Sequence, residues 1–534
     1  MTQTGTPPRT ASIGRRRMIQ GVASTIALIG LPSGVWGKQG WSNDPFSMGV
    51  ASGAPTPDGV VLWTRLDPVV VEAAGLITQS IPVTWQVADD AQFLRIVAQG
   101  VIQAVPALAH SVHAEVSGLS SDHHYFYRFL AGSASSTTGR TRTFPALEAT
   151  PNSLRLAYAS CQQWGNGYYS AYRHMLDENL DMVMFLGDYM YEYPSSRPKD
   201  IRPTTGGWAN TIESYRQRYA LHKSDLDLQA MHAAAPWLIT WDDHEVQNDY
   251  AGILHGDSGR PVEDFMARRR AAYQAFYEHM PVRRADFEAL ISTHNNNAKV
   301  FGSHQYGKLA TLYLLDTRQF RDPQACNPNN KIGASQLDPS TCAIWNDPQR
   351  TLLGTQQESW LKREFEVSTS QWNVIGQQTL LGQRNFDTKG GVRFSNNGWD
   401  GYPRARQRLI EAMIQTKLRN PVVIGGDVHE NWVGHILSDY NVPTSTKIGV
   451  EFCGTSITSL AHTSQEKANQ MLRVNPHFIF ANTEYRGYGV AEFTPSGMRT
   501  TLRAVEDATN PRSAIHTLAE FVVESDKPNI KIVE

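Results

Sequence analysis

Three short polar segments, each ending an apolar run, carry side chains suited to binding metal cations. The first is GDYMYEY at 187–193, where Asp188 is followed three residues on by Tyr191. A carboxylate can bridge two cations, and a phenolate is a hard oxygen donor suited to ferric iron. The second is WDDHEVQND at 241–249, which packs Asp242, Asp243, His244, Glu245, Asn248 and Asp249 into one stretch after PWLIT. The third is IGGDVHENWVGH at 424–435, with Asp427 and His429 two apart. Each has an ordinary structural use as well: a helix cap, a solvated loop, a hydrogen-bonded corner. Three independent segments offering Asp, His, Asn and Tyr together point to a binuclear metal site.

These segments need elements to bring them together. LRLAYASC, MVMFLGDY, PWLITWDDHE, LATLYLLDTR, WNVIGQQTL and PVVIGGDVHE are apolar runs that stop abruptly at polar residues. That pattern predicts an α/β sheet domain over 152–534 whose chemistry sits at strand ends. Helices are expected over 170–179, 212–219 and 263–279. Ahead of this, VVLWTRL, IPVTWQVA, HSVHAEV and HHYFYRFLAG are short aromatic and β-branched runs between Gly, Pro and Asp turns. They predict a fibronectin- or Ig-like β-sandwich module over 43–144, joined by a linker at 145–151.

The N-terminus is read separately. Arg15, Arg16 and Arg17 precede a run over 21–37 that holds no charge. The run is too short and too weakly apolar for a stable membrane span. It reads as a signal peptide over 1–37 of the twin-arginine type, with Gly14 and Met18 where Ser and Phe are usual. The expected partner is the twin-arginine translocation machinery, and the expected location is periplasmic or secreted. That route carries folded proteins, often with a metal already loaded. The net charge of −2, from 49 basic and 51 acidic residues, argues against a surface built to grip nucleic acid. Hydrophobic residues at 41% exclude a mostly disordered chain, and four cysteines exclude a disulfide scaffold.

The order and spacing of the three polar segments resemble those of metallophosphoesterases, and the GDxxY form with Tyr191 resembles purple acid phosphatases. Three departures stand out: Asp243 replaces an Asn, Asp427 replaces a His, and Cys161 in YASCQQW replaces an early Asp. Exchanging nitrogen donors for carboxylates hardens the second site toward Ca²⁺ or Mg²⁺ rather than Zn²⁺. With these departures, PFSMGVASGAPTPDGVVLWTRLDP, ASCQ, GDYMYEY, WDDHEVQND and EFCGTSITS together resemble the PhoD-type alkaline phosphatases. The resemblance implies a metallophosphoesterase-type sheet core flanked by helices, and a secreted phosphomonoesterase and phosphodiesterase acting on small phosphate esters. It implies Fe³⁺ bound by Cys161, Asp188, Tyr191 and His429, with Asp188 bridging. It implies two Ca²⁺ ions served by Asp243, Asn248 and Asp427. Asn248 is alternatively a hydrogen-bond donor to phosphate. His244 is a candidate to protonate the leaving group or to orient a ligand. The expected reaction is in-line attack on phosphorus by an iron-bound hydroxide or oxo group. No Ser is set beside a base in a phosphate-cradling turn, so no protein nucleophile is expected.

The other candidates follow from local context. Cys326 and Cys342 lie in a Pro- and Asn-rich insertion and are expected to pair in an exported protein. Cys453 lies in an apolar run and reads as a packed thiol. Gln162, Gln163 and Trp164 after Cys161 suggest a loop open to solvent, and Cys326 and Cys342 are expected to pair with each other, which favours a thiolate ligand over a packed thiol or a disulfide partner. Arg216, Arg218 and Arg318 are candidate phosphate clamps, and Asp400 a loop cap near the site. Two rival readings are a zinc or manganese phosphodiesterase and a catalytically degenerate surface-binding protein.

Overall fold

The structure is a computed structural model that describes residues 1, 40–195, 200–204, 206–257, 264–293, 295–328 and 331–533. The arginine cluster at 15–17 and the uncharged run after it lie outside the described residues. Among the described residues, no helix is long and apolar enough to cross a membrane.

The chain forms a mixed α/β fold with several sheets. At the centre of a ten-stranded sheet, Leu154–Ala159, Met182–Leu186 and Trp237–Thr240 run parallel. A seven-stranded sheet holds a second parallel set: Ala310–Leu314, Trp372–Gly376, Pro421–Gly425 and Lys447–Cys453. The two sheets share one apolar core. Leu156, Met182, Met184 and Leu186 from the first pack with Leu312, Val374, Val422, Ile424 and Phe452 from the second. The alternate residues Val183 and Phe185 face helical side chains such as Tyr172, Tyr219 and Phe276 instead. On the far side Ile375 and Val423 meet Leu361, Phe365, Leu409 and Ile410 from two further helices. These strands are therefore buried on both faces, which is why MVMFL and VVIG read as unbroken apolar runs.

The helices begin where their caps dictate. Ile212–Lys223 starts at a capping box in which Thr211 and Ser214 satisfy each other's backbone N–H groups. Phe265–His279 starts at Asp264, whose carboxylate accepts from Ala267 N at 2.9 Å. The first runs four residues past its expected end at 219, and the segment expected over 170–179 is an α-helix, Ser170–Met175, followed by a 3₁₀ turn, Leu176–Glu178.

The N-terminal strands divide between two sheets. Ile81–Ala88, Ile96–Ala104, His124–Ala131, Ala134–Ser135 and Gly139–Arg142 form a sheet of their own. Val50–Thr56, Gly59–Arg65 and Ser111–Ser117 instead continue the ten-stranded sheet, through a parallel contact of Gly53 with Trp237. Val60, Leu62, Val83, Val112, Tyr127 and Phe129 fill the core between these two groups. At the junction with the helices, the Lys223 ammonium is buried 4.1 Å from the centre of the Trp63 ring and 5.4 Å from that of Tyr189. Burial pulls the Lys223 pKa down to about 7. Cys326 and Cys342 form a disulfide, with Cα atoms 5.9 Å apart.

Candidate metal centre

Parallel strands end on one edge, and the chemistry gathers there. Cys161 follows Leu154–Ala159, Asp188 follows Met182–Leu186, the Asp242–Asp243–His244 run follows Trp237–Thr240, and Asp427 and His429 follow Pro421–Gly425. The turns are tight. Cys161, Asp188, Asp427 and His429 all have φ near +60°, a conformation that side-chain-bearing residues seldom adopt. The glycines before two of them make the turns possible. A Cβ on Gly187 would lie 2.5 Å from Asp242 Cβ, and one on Gly426 would lie 2.3 Å from Ser160 Oγ.

Three donor groups result, each with ligand atoms within 4.8 Å of one another: Cys161–Asp188–His429, Asp188–Asp243–His244 and Asp242–Asp243–Asp427. Asp188 belongs to the first two and Asp243 to the last two, so the groups form a chain. Asp188 Oδ1 is buried without a hydrogen-bond partner. A buried carboxylate oxygen left without a partner is costly unless a cation completes it. The donor set therefore fits metal ions: sulfur, nitrogen and oxygen at one end, carboxylates at the other.

Neighbouring groups fix the donors. Tyr191 Oη lies 3.0 Å from Asp188 Oδ2, 3.4 Å from His429 Nε2 and 2.6 Å from Ser459 Oγ. His429 Nδ1 is held at 2.9 Å by the Leu460 carbonyl, which leaves Nε2 for the site. Thr379 Oγ1 donates to Asp427 Oδ2 at 2.7 Å. Glu245 accepts from the backbone N–H groups of Asp188, Tyr189 and Asp242, so one buried carboxylate ties two of the strand ends together. Burial pushes the Glu245 pKa up to about 8, with the Asp188 charge adding to it and these N–H donors opposing it. Burial, reinforced by Asp188, raises both the Cys161 thiol and the Tyr191 phenol well above their ordinary ranges.

His244 stands on the other flank, with Nδ1 2.7 Å from Glu192 Oε2. Burial opposes its charge, but the carboxylates of Glu192, Asp188 and Asp243 prevail and raise its pKa well above the usual imidazole value. Asn248 lines the same cleft. Its amide nitrogen donates to Asp249 and Asp257 at 2.9 and 2.6 Å. The cleft encloses about 370 Å³ and reaches past the donors to Leu380, Arg384, Phe386 and His462.

Several sequence expectations need correction. The loop after Cys161 is not open to solvent: Cys161, Gln162 and Gln163 are all buried. Gln162 is satisfied there by the Tyr189 carbonyl and the Tyr172 hydroxyl. Arg216 is not a phosphate clamp but pairs with Glu278 at 2.6 Å, and Arg218 spends its guanidinium on the carbonyls of Tyr193 and Gly207. Of the three arginines only Arg318 reaches the site. Asp400 does lie at the cleft, paired with Arg406 at 2.5 Å. Cys453 is a buried free thiol. Nothing in the local sequence marks Glu192, Ser459, Leu460 or Thr379 as part of the site. Glu192 lies within the GDYMYEY segment and Ser459 ends EFCGTSITS, so the motifs contained both.

Residues 156–502 match the family of PhoD-like phosphatases, and residues 33–145 match the N-terminal domain of the same family. The chain belongs to the PhoD-like phosphatases. It is 42% identical over 535 residues to alkaline phosphatase D of Bacillus subtilis (strain 168), covering 97% of this chain and 89% of that protein. A solved structure described as that of PhoD superposes with a TM-score of 0.86 at 42% identity, covering 93% of each chain.

Proposed function

We propose that the chain is an exported, metal-dependent phosphatase that hydrolyses small phosphomonoesters and phosphodiesters. The observation that carries this reading is Asp188, which has one orphaned buried oxygen and is shared by two adjoining donor groups. In this reading Cys161, Asp188, Tyr191 and His429 would hold ferric iron, with Asp188 shared with the adjoining donor group. Asp243, Asn248 and Asp427 serve two calcium ions, with Asn248 contributing its carbonyl oxygen. Once bound, the cations supply positive charge to the phosphate oxygens and acidify a water molecule.

The protein's own groups orient and transfer. Glu192 fixes the His244 ring through Nδ1, so Nε2 is left to hand a proton to the departing alkoxide. Ser459 and the Leu460 carbonyl hold Tyr191 and His429 in place. Leu380 and Phe386 give the organic part of the ester an apolar wall. The packed sheets with helices outside suit a metallophosphoesterase-type core over 152–534, and the N-terminal strands suit a β-sandwich module over 43–144. The arginine cluster and uncharged run at the N-terminus support twin-arginine export to the periplasm or beyond.

The test is metal analysis of protein exported by its own signal, paired with phosphate release from aryl phosphate monoesters and diesters. Iron and calcium should be found together, a calcium-selective chelator should abolish release, and added Ca²⁺ should restore it better than Zn²⁺. Zinc or manganese in place of both ions would favour the alternative phosphodiesterase reading.

A further inference from the structure

Arg318 is a guanidinium seated among the carboxylates of the third donor group, Asp242–Asp243–Asp427. It follows the strand Ala310–Leu314, and its side chain is 2% exposed. Nε lies 2.5 Å from Asp242 Oδ1 and Nη2 lies 3.2 Å from Asp242 Oδ2, so both oxygens of Asp242 face one guanidinium. The same Nη2 is 3.1 Å from Asp427 Oδ1 and 3.5 Å from Asp243 Oδ2. Nη1 donates to Asn397 Oδ1 at 3.1 Å. The backbone is anchored too: Arg318 N donates to Asp316 Oδ1 at 3.0 Å, and Gly252 N donates to the Arg318 carbonyl at 3.0 Å.

Two-point pairing makes Asp242 differ from its neighbours. A carboxylate with both oxygens on a guanidinium is a poor metal ligand, because a cation would have to displace a buried, geometrically matched partner. Asp243 and Asp427 touch Arg318 through one oxygen each. We infer that Arg318 is a positioning residue: a fixed internal cation that keeps Asp242 out of the metal shell and presents Asp243 and Asp427 to the calcium ions. This rests on the metal-dependent reading above. Without Arg318, three carboxylates would converge with no guanidinium between them, a stronger and less selective cation trap.

Calcium titration of the folded, iron-containing protein tests it, read as stoichiometry and midpoint rather than activity. Asp242→Asn should bind the same number of calcium ions as the parent, with a midpoint within about twofold. Arg318→Met should gain one calcium equivalent, and Arg318→Lys, which keeps the charge, should keep the parent stoichiometry. Loss of a calcium ion, or a midpoint weakened tenfold or more, in Asp242→Asn would make Asp242 a ligand and overturn the inference. An Arg318→Met protein that folds and titrates like the parent would also overturn it. If Arg318→Met does not fold, the Asp242→Asn titration decides alone. A parent that binds no calcium at all would instead refute the metal assignment on which the inference stands.

Discussion

Tyr191 Oη donates to Asp188 Oδ2 at 3.0 Å, so the two groups proposed to hold iron are joined by a proton that a bound metal would displace. Burial and the Asp188 charge keep both the Tyr191 phenol and the Cys161 thiol protonated at neutral pH. Ligation deprotonates both. Loading iron into the metal-depleted protein should therefore release about two protons per ion in weakly buffered solution. Apparent affinity, measured against a competing chelator, should rise with pH. Release of no protons would mean that neither side chain is a ligand.

Cys161→Ser removes the soft donor but keeps a hydroxyl of similar size. Its iron content should fall steeply, and its rate by more than the roughly 10–100-fold expected for a residue that only supports a ligand. A phenolate or thiolate on ferric iron should absorb visible light, and the substitution should shift or remove that band. Circular dichroism should be unchanged. Normal iron content and spectrum in Cys161→Ser would exclude ligation.

Glu192→Gln keeps the shape beside His244 but removes the charge that sustains its proton. The rate constant kcat should fall by about 10–100-fold with little change in KM, because the loss lies in proton transfer rather than substrate capture. The fall should be smaller for esters with acidic leaving groups such as p-nitrophenol, which need no proton. Equal losses for good and poor leaving groups would remove His244 from that role.

Lys223 predicts a pH dependence of stability. Its folded pKa is about 7, below its ordinary 10.5. Between those values the unfolded chain binds a proton that the folded chain lacks, so stability rises with pH across that window. The slope contributed is at most about 1.4 kcal/mol per pH unit. Denaturant unfolding of the parent and Lys223→Met at pH 7 and 9.5 checks it. The parent should gain more than the variant, and equal gains would show that Lys223 stays charged inside.

The strand ends were legible because MVMFL and PVVIG are buried on both faces and break abruptly at GD and GGD. What the sequence hid was mostly tertiary. Ser459 reaches Tyr191 from 268 residues away, and no local pattern encodes that distance. Gln162 and Gln163 look like surface residues, but a buried amide whose bonds are met is as stable inside as out. Arg216 and Arg318 are the same residue type. Only the fold places one against Glu278 and the other among three aspartates. The left-handed backbone at Cys161, Asp188, Asp427 and His429 has no sequence signal, because none of the four is glycine.

The contact between Gly53 and Trp237 also bears on how the chain is made. A ribosome delivers the N-terminal strand Val50–Thr56 long before Trp237–Thr240, the strand it must lie beside. That edge of the sheet therefore stays unmatched until Thr240 has been made, open to neighbouring chains. The early segment depends on a later partner, so truncations ending before about 240 should aggregate rather than yield an isolated N-terminal unit.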